Sequence, residues 1–202
     1  MAVEQISLHI GGRRAPASHL WLGTLGMIGA PMLFLTSLAV PFVLTGEVMN
    51  ARVLSVLGII YLAGWAASVI GMRRLRVTGD HLLARIIFPI QLAGLILALS
   101  LNVQEIINPE LDTNTLLFRV TDAAWPLSHL FMLVVFVLVL TAKVWKGWRK
   151  LTPLFCGLAL PLFFGLSAIV PRTVAGLCFG AATAVSFMLL GYAVRTGGRE
   201  LS

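Results

Sequence analysis

The chain has 202 residues, of which 58% are hydrophobic and only 11% charged, with a formal net charge of +7. A water-soluble domain carries about 25% charged residues, so this composition cannot cover an aqueous surface, and lipid must serve as its solvent. The basic residues stand in short clusters between long apolar runs, without a basic stripe or a nucleic-acid motif, which excludes nucleic acid as the partner.

Six apolar runs, at about 20–44, 53–72, 84–102, 120–142, 151–170 and 173–194, can each cross a hydrocarbon core of roughly 30 Å, which takes about 20 helical residues. None alternates apolar and polar positions over the roughly 10 residues of a transmembrane barrel strand. Helices satisfy their own backbone hydrogen bonds in lipid. The sequence therefore predicts an all-α polytopic membrane protein: a single domain over 1–202, built as a bundle of six transmembrane helices.

Arg13 and Arg14 precede the first run. That run exceeds the roughly 7–15 apolar residues of a secretory signal and lacks a small-x-small cleavage site, so it reads as a first span. It carries Gly26 and Ala30 at small-residue spacing, and the second run offers Gly64 with Ser68 and Ala67 with Gly71. Such pairs let helix backbones approach closely. Tyr61 in the second run and Gln91 in the third are the candidate polar residues there. The connection NVQEIINPELDTNTLLFR holds Glu105, Glu110 and Asp112 in no calcium-loop spacing, and reads as a solvated acidic loop.

The fourth run opens with TDAAWPLSHLFML. Asp122, Trp125 and His129 share one helix face by their spacing, and lipid would not tolerate that face, so it should point into the bundle. Arg119 stands three residues before Asp122 and can pair with it. Pro126 removes a backbone donor and predicts an opened turn. Two readings follow. In one, Trp125 forms the mouth of a polar pocket, with Asp122 and Arg119 on its rim and His129 at its floor. In the other, Asp122 caps the helix, Trp125 anchors the interface, and His129 is a neutral ring bonded to a neighbouring helix.

After this span, KVWKGWRK places Trp145 and Trp148 at headgroup depth among snorkelling cations. Cys156 and Cys178 fall at different depths of the fifth and sixth spans, too far apart for a disulfide. The sixth span reads AGLCFGAATAVSF, where Gly176, Gly180 and Ala184 recur every four residues and offer a face for intramolecular packing or for a homo- or hetero-oligomer.

Charge orients the bundle, because Lys and Arg are retained on the cytoplasmic side. With the N-terminus inside, Arg13, Arg14, Arg73, Arg74, Arg76, Arg85, Lys143, Lys146, Arg149, Lys150, Arg195 and Arg199 are cytoplasmic, and only Arg52, Arg119 and Arg172 are outside. Both termini are then cytoplasmic, and TDAAWPLSHLFML enters from the extracytoplasmic side.

Several chemistries find no support. Bis-histidine haem needs a second intramembrane histidine, whereas His9, His19 and His81 fall outside the span cores. Ser128 and His129 are adjacent and diverge on a helix, so they are not a nucleophile–base pair. No paired intramembrane carboxylates suggest a metal site, and the inverted repeats of secondary transporters are missing. The sequence names no catalytic residue, metal or cofactor.

The stretch from Asp122 to Pro161, carried by Asp122, Trp125, Pro126, Gly147, Trp148 and Pro153, resembles bacterial multi-span integral membrane proteins with no assigned activity. That resemblance implies a bacterial cytoplasmic-membrane location and no particular reaction. The expected function is non-enzymatic: binding of membrane lipid or a small amphiphile, or service as a subunit, with His129, Asp122, Trp125, Arg119 and Gln91 as candidate ligand-binding residues. The alternative is a membrane enzyme or proton-coupled transporter centred on His129.

Overall fold

A computed structural model describes residues 18–42 and 47–198; His9, Arg13, Arg14 and the last two residues of the first expected span lie outside the described residues. The described residues form seven α-helices: α1 Ser18–Gly29, α2 Met32–Phe42, α3 Glu47–Arg74, α4 Leu82–Ile107, α5 Leu116–Ala142, α6 Thr152–Ser167 and α7 Arg172–Gly197. No strand occurs among them. Six helical segments are long and apolar enough to cross a membrane, with α1 and α2 together making the first. The chain is thus a multi-pass helical membrane protein.

Side chains set the starts of α4 and α5. His81 caps α4, its Nδ1 accepting from the Ala84 N–H at 3.1 Å, and Thr115 caps α5, its Oγ1 accepting from the Phe118 N–H at 3.2 Å. The cap at Thr115 starts α5 earlier than the apolar run suggests, so Asp122 sits in the second turn and is not the cap. At the other end, α4 runs on to Ile107 and takes Glu105 out of the expected loop. Pro31, which lacks an N–H, separates α1 from α2. Pro126 does not act in that way: α5 is continuous through it, as α6 is through Pro161. Trp145 also departs from the expected interfacial position. It is buried, and its indole lies beside Gly197, while Trp148 stays exposed and stacks on Tyr192 at 6.0 Å.

Consecutive helices from α3 to α7 pack as neighbours, and α1–α2 closes the bundle between α7 and α3. The core contains Tyr61, Trp65, Met72, Phe88, Met132, Val135, Phe187 and Leu190. Outward positions are apolar as well: Ile96, Leu127 and Val185 are each about two-thirds exposed (66%, 62% and 60%). In lipid this outer apolar surface carries no penalty, and the inside is distinguished by close packing and polar bonding instead.

The closest backbone approaches occur on α1. A Cβ on Gly29 would come within 2.8 Å of the Ile60 carbonyl oxygen and 2.9 Å of Gly64 Cα. A Cβ on Gly191 of α7 would come within 2.8 Å of both the Gly23 carbonyl oxygen and the Met27 nitrogen. Gly23, Gly26 and Gly29 thus let α1 lie against two helices at once. On α7, Gly180 and Ala184 are buried, and Gly180 faces Phe34 and Ser37 of α2, whereas Gly176 has nothing near it.

Forcing side chains into close-packed contacts costs about 1–3 kcal/mol, so Gly29→Val and Gly64→Val are each expected to lower the thermal unfolding midpoint of the purified protein. Gly176→Ala, which meets nothing within 4 Å, is expected to leave it unchanged or raise it. A scan of detergent-solubilised variants by fluorescence-detected gel filtration reads the difference.

Candidate functional site

Where α3 and α5 begin and α4 ends, these helices and α2 leave a cavity of about 420 Å³. Its apolar wall includes Leu33, Leu54, Leu62, Ala98 and Leu101, and its polar wall is made by Thr36, Ser55, Tyr61, Asn102, Glu105, Thr121 and Asp122, with Trp125 beside them. The helical repeat brings these groups together. Ala98, Asn102 and Glu105 follow one another on one face of α4, and Ser55, Gly58 and Tyr61/Leu62 do the same on α3. Gly58 allows the Asn102 side chain to lie over the α3 backbone.

Within the polar wall, Ser55 Oγ donates to Glu105 Oε2 at 2.6 Å, joining α3 to α4. Thr121 Oγ1 donates to the carbonyls of Leu117 at 2.9 Å and Phe118 at 3.0 Å. Asn102 Nδ2 donates to the Ala98 carbonyl at 3.1 Å, and Thr36 Oγ1 to the Met32 carbonyl at 3.0 Å.

Tyr61 links the cavity to His129. Its hydroxyl lies 3.2 Å from His129 Nε2, and His129 Nδ1 lies 3.2 Å from the Trp125 carbonyl oxygen. A carbonyl only accepts, so Nδ1 carries the ring hydrogen; the neutral ring then accepts at Nε2, and Tyr61 is the donor. His129 is fully buried and its ring is enclosed by aromatic rings, with Trp65 at 4.7 Å, Trp125 at 4.8 Å, Phe187 at 5.7 Å and Phe179 at 6.1 Å.

The five candidate residues separate accordingly. Asp122 and Trp125 line the cavity; Tyr61 occupies the floor position expected of His129, which stands behind it. Arg119 is exposed and lies outside the lining, and it forms no ion pair with Asp122; the ion pair present among the described residues joins Arg76 to Asp80 on the surface. Gln91 is buried beside a different groove, between α4 and α5, and its Nε2 donates to the Ser128 carbonyl at 3.2 Å. Glu105, Asn102, Ser55, Thr36 and Thr121 were not legible as site residues, because no apolar-run boundary marks them. Extending the α4 helix past residue 102 would have put Glu105 on the Ala98–Asn102 face. Among the described residues no group of three or more His, Cys, Asp or Glu side chains is placed to hold a metal ion, and Cys156 and Cys178 are free thiols.

No protein-family model, curated protein or solved structure matches the chain.

Tyr61→Phe leaves the buried His129 Nε2 without its donor, at a cost of about 1–3 kcal/mol. His129→Phe removes both ring bonds. A double-mutant cycle in thermal or denaturant unfolding is expected to give a coupling of about 0.5–1.5 kcal/mol between the two positions; additive losses would mean that the bond contributes nothing.

Proposed function

We propose that this chain is a multi-pass protein of the bacterial cytoplasmic membrane, with both termini inside, that binds a lipid or small amphiphile in the cavity between α2, α3, α4 and α5 and performs no chemistry of its own. The observation that carries this reading is the cavity itself. At about 420 Å³ it has the size of ordinary small-ligand sites, roughly 300–1,000 Å³. Its walls join an apolar half to a cluster of hydrogen-bonding groups, the pattern an amphiphile requires. The charge asymmetry of the connecting segments supports an extracytoplasmic opening, and the resemblance of residues 122–161 to bacterial multi-span proteins supports the location.

The arrangement around His129 favours binding over a proton relay or catalysis. The ring bonds to Tyr61 on one side and to a backbone carbonyl on the other, and a carbonyl cannot pass a proton onward. The subunit reading draws less support, because Gly180 already packs on Phe34 and Ser37 within the chain.

Two measurements test the proposal. In native-lipid nanodiscs, mass spectrometry is expected to detect a small bound species that is lost in Thr36→Trp, where the large ring fills the cavity; an unchanged bound mass in that variant would sink the reading. In a background with Cys156 and Cys178 replaced by serine, Asp112→Cys is expected to react with a membrane-impermeant thiol reagent on intact cells while Lys146→Cys does not. The reverse pattern would invert the orientation.

A further inference from the structure

The polar groups of the cavity share a property beyond their number: their own hydrogens are directed away from the space. Thr36 and Thr121 donate to carbonyls of their own helices, one amide hydrogen of Asn102 goes to Ala98, and Ser55 donates to Glu105. These four directions are forced, because a carbonyl or carboxylate oxygen accepts only. The direction of Tyr61 follows from the His129 ring, whose Nε2 is the accepting nitrogen. A hydroxyl that has given its hydrogen to the wall keeps lone pairs for the space in front of it.

Tyr61 and Thr121 are fully buried, so the accepting groups left to the cavity are the Thr36 hydroxyl and the carboxyl groups of Glu105 and Asp122. Among the described residues, no Lys, Arg or His side chain lines it. The donors left are the second amide hydrogen of Asn102 and the indole N–H of Trp125. A phosphate or sulfate head would meet two carboxyl groups and few donors. A primary ammonium is the complement: one positive charge, three donors and no acceptor.

We propose that the head of the bound amphiphile is a primary ammonium group, seated between Glu105 and Asp122, with its apolar chain along Leu33, Leu54 and Leu62. This rests on the cavity being the binding site, as proposed above. Both an aminophospholipid and a free alkylamine present this head.

The test uses the full chain in phosphatidylcholine nanodiscs, with octylamine, octyltrimethylammonium, octanol and octyl sulfate titrated by calorimetry against empty nanodiscs. Octylamine is expected to bind at least about tenfold more tightly than octyltrimethylammonium, which has the charge without the donors. Octyl sulfate is expected to bind weakest. Glu105→Gln should weaken octylamine about tenfold while leaving octanol unchanged. Octyl sulfate or octyltrimethylammonium binding as well as octylamine, or wild-type octylamine affinity in both Glu105→Gln and Asp122→Asn, would overturn the ammonium assignment and leave the cavity as a site. Failure of all four probes to bind above the empty-disc level would remove the binding site itself. Repeating the octylamine titration in nanodiscs containing phosphatidylethanolamine separates the two sources. Competition identifies the lipid head as a ligand, and its absence identifies a free amine; either result upholds the ammonium head.

Discussion

Three backbones meet where α1 lies between α3 and α7, and the contact depends on glycine at Gly23, Gly26, Gly29, Gly64 and Gly191. In lipid, burying apolar surface gives little drive for helices to associate, because the tails are as apolar as leucine. Close van der Waals approach must supply it, and that requires the absence of side chains at the crossing points. The rest of the bundle follows from this seam. It closes the ring of helices that starts at α3 and ends at α7. It also sets where the chain leaves α1 at Pro31 and enters α2. Past that break, Leu33 and Thr36 of α2 line the cavity with α3, α4 and α5.

A second constraint lies at the level of His129. Trp65, Trp125, Phe179 and Phe187 form a plug of rings around it, with Tyr61 hydrogen-bonded to it. The plug floors the cavity, so polar groups above it are separated from the bundle centre below. An imidazole in this setting is worth more than another apolar ring for one reason: it holds a hydroxyl in a defined direction. The polarity of the cavity, rich in acceptors and poor in donors, comes from the carboxyl groups of Glu105 and Asp122 and from the helix carbonyls that take the hydrogens of Thr36 and Asn102.

Prolines show how far local rules reach in this chain. Pro31 ends α1, but Pro89, Pro126 and Pro161 all stand inside continuous helices. The residue's chemistry is the same in each case, so neighbouring packing decides the outcome. At Pro31 the preceding turn is pinned against α3 through Gly29 and Gly64, and α1 ends there. At Pro126 the helix is held on both sides, by Thr121 above and by His129 with Gln91 below, and it runs through.

Composition and apolar run length by themselves determined the class of this protein: six helical spans, because only helices satisfy their backbone across lipid and few charges are available for a water-facing surface. They also located Asp122, Trp125 and His129 on one face of one helix, since a period of 3.6 residues needs no knowledge of neighbours. Only the tertiary structure decided which of those residues meet a cavity. Glu105 was read as a loop acid because apolar runs end before helices do, and a cap such as Thr115 or a last polar turn such as Gln104–Ile107 carries no hydropathy signal. One of the two readings of His129 made it a cavity floor, because depth along one helix says nothing of what another helix inserts in front of it. Tyr61 comes from α3, 68 residues away in sequence, and its position depends on how closely the glycine seam lets α3 approach its neighbours.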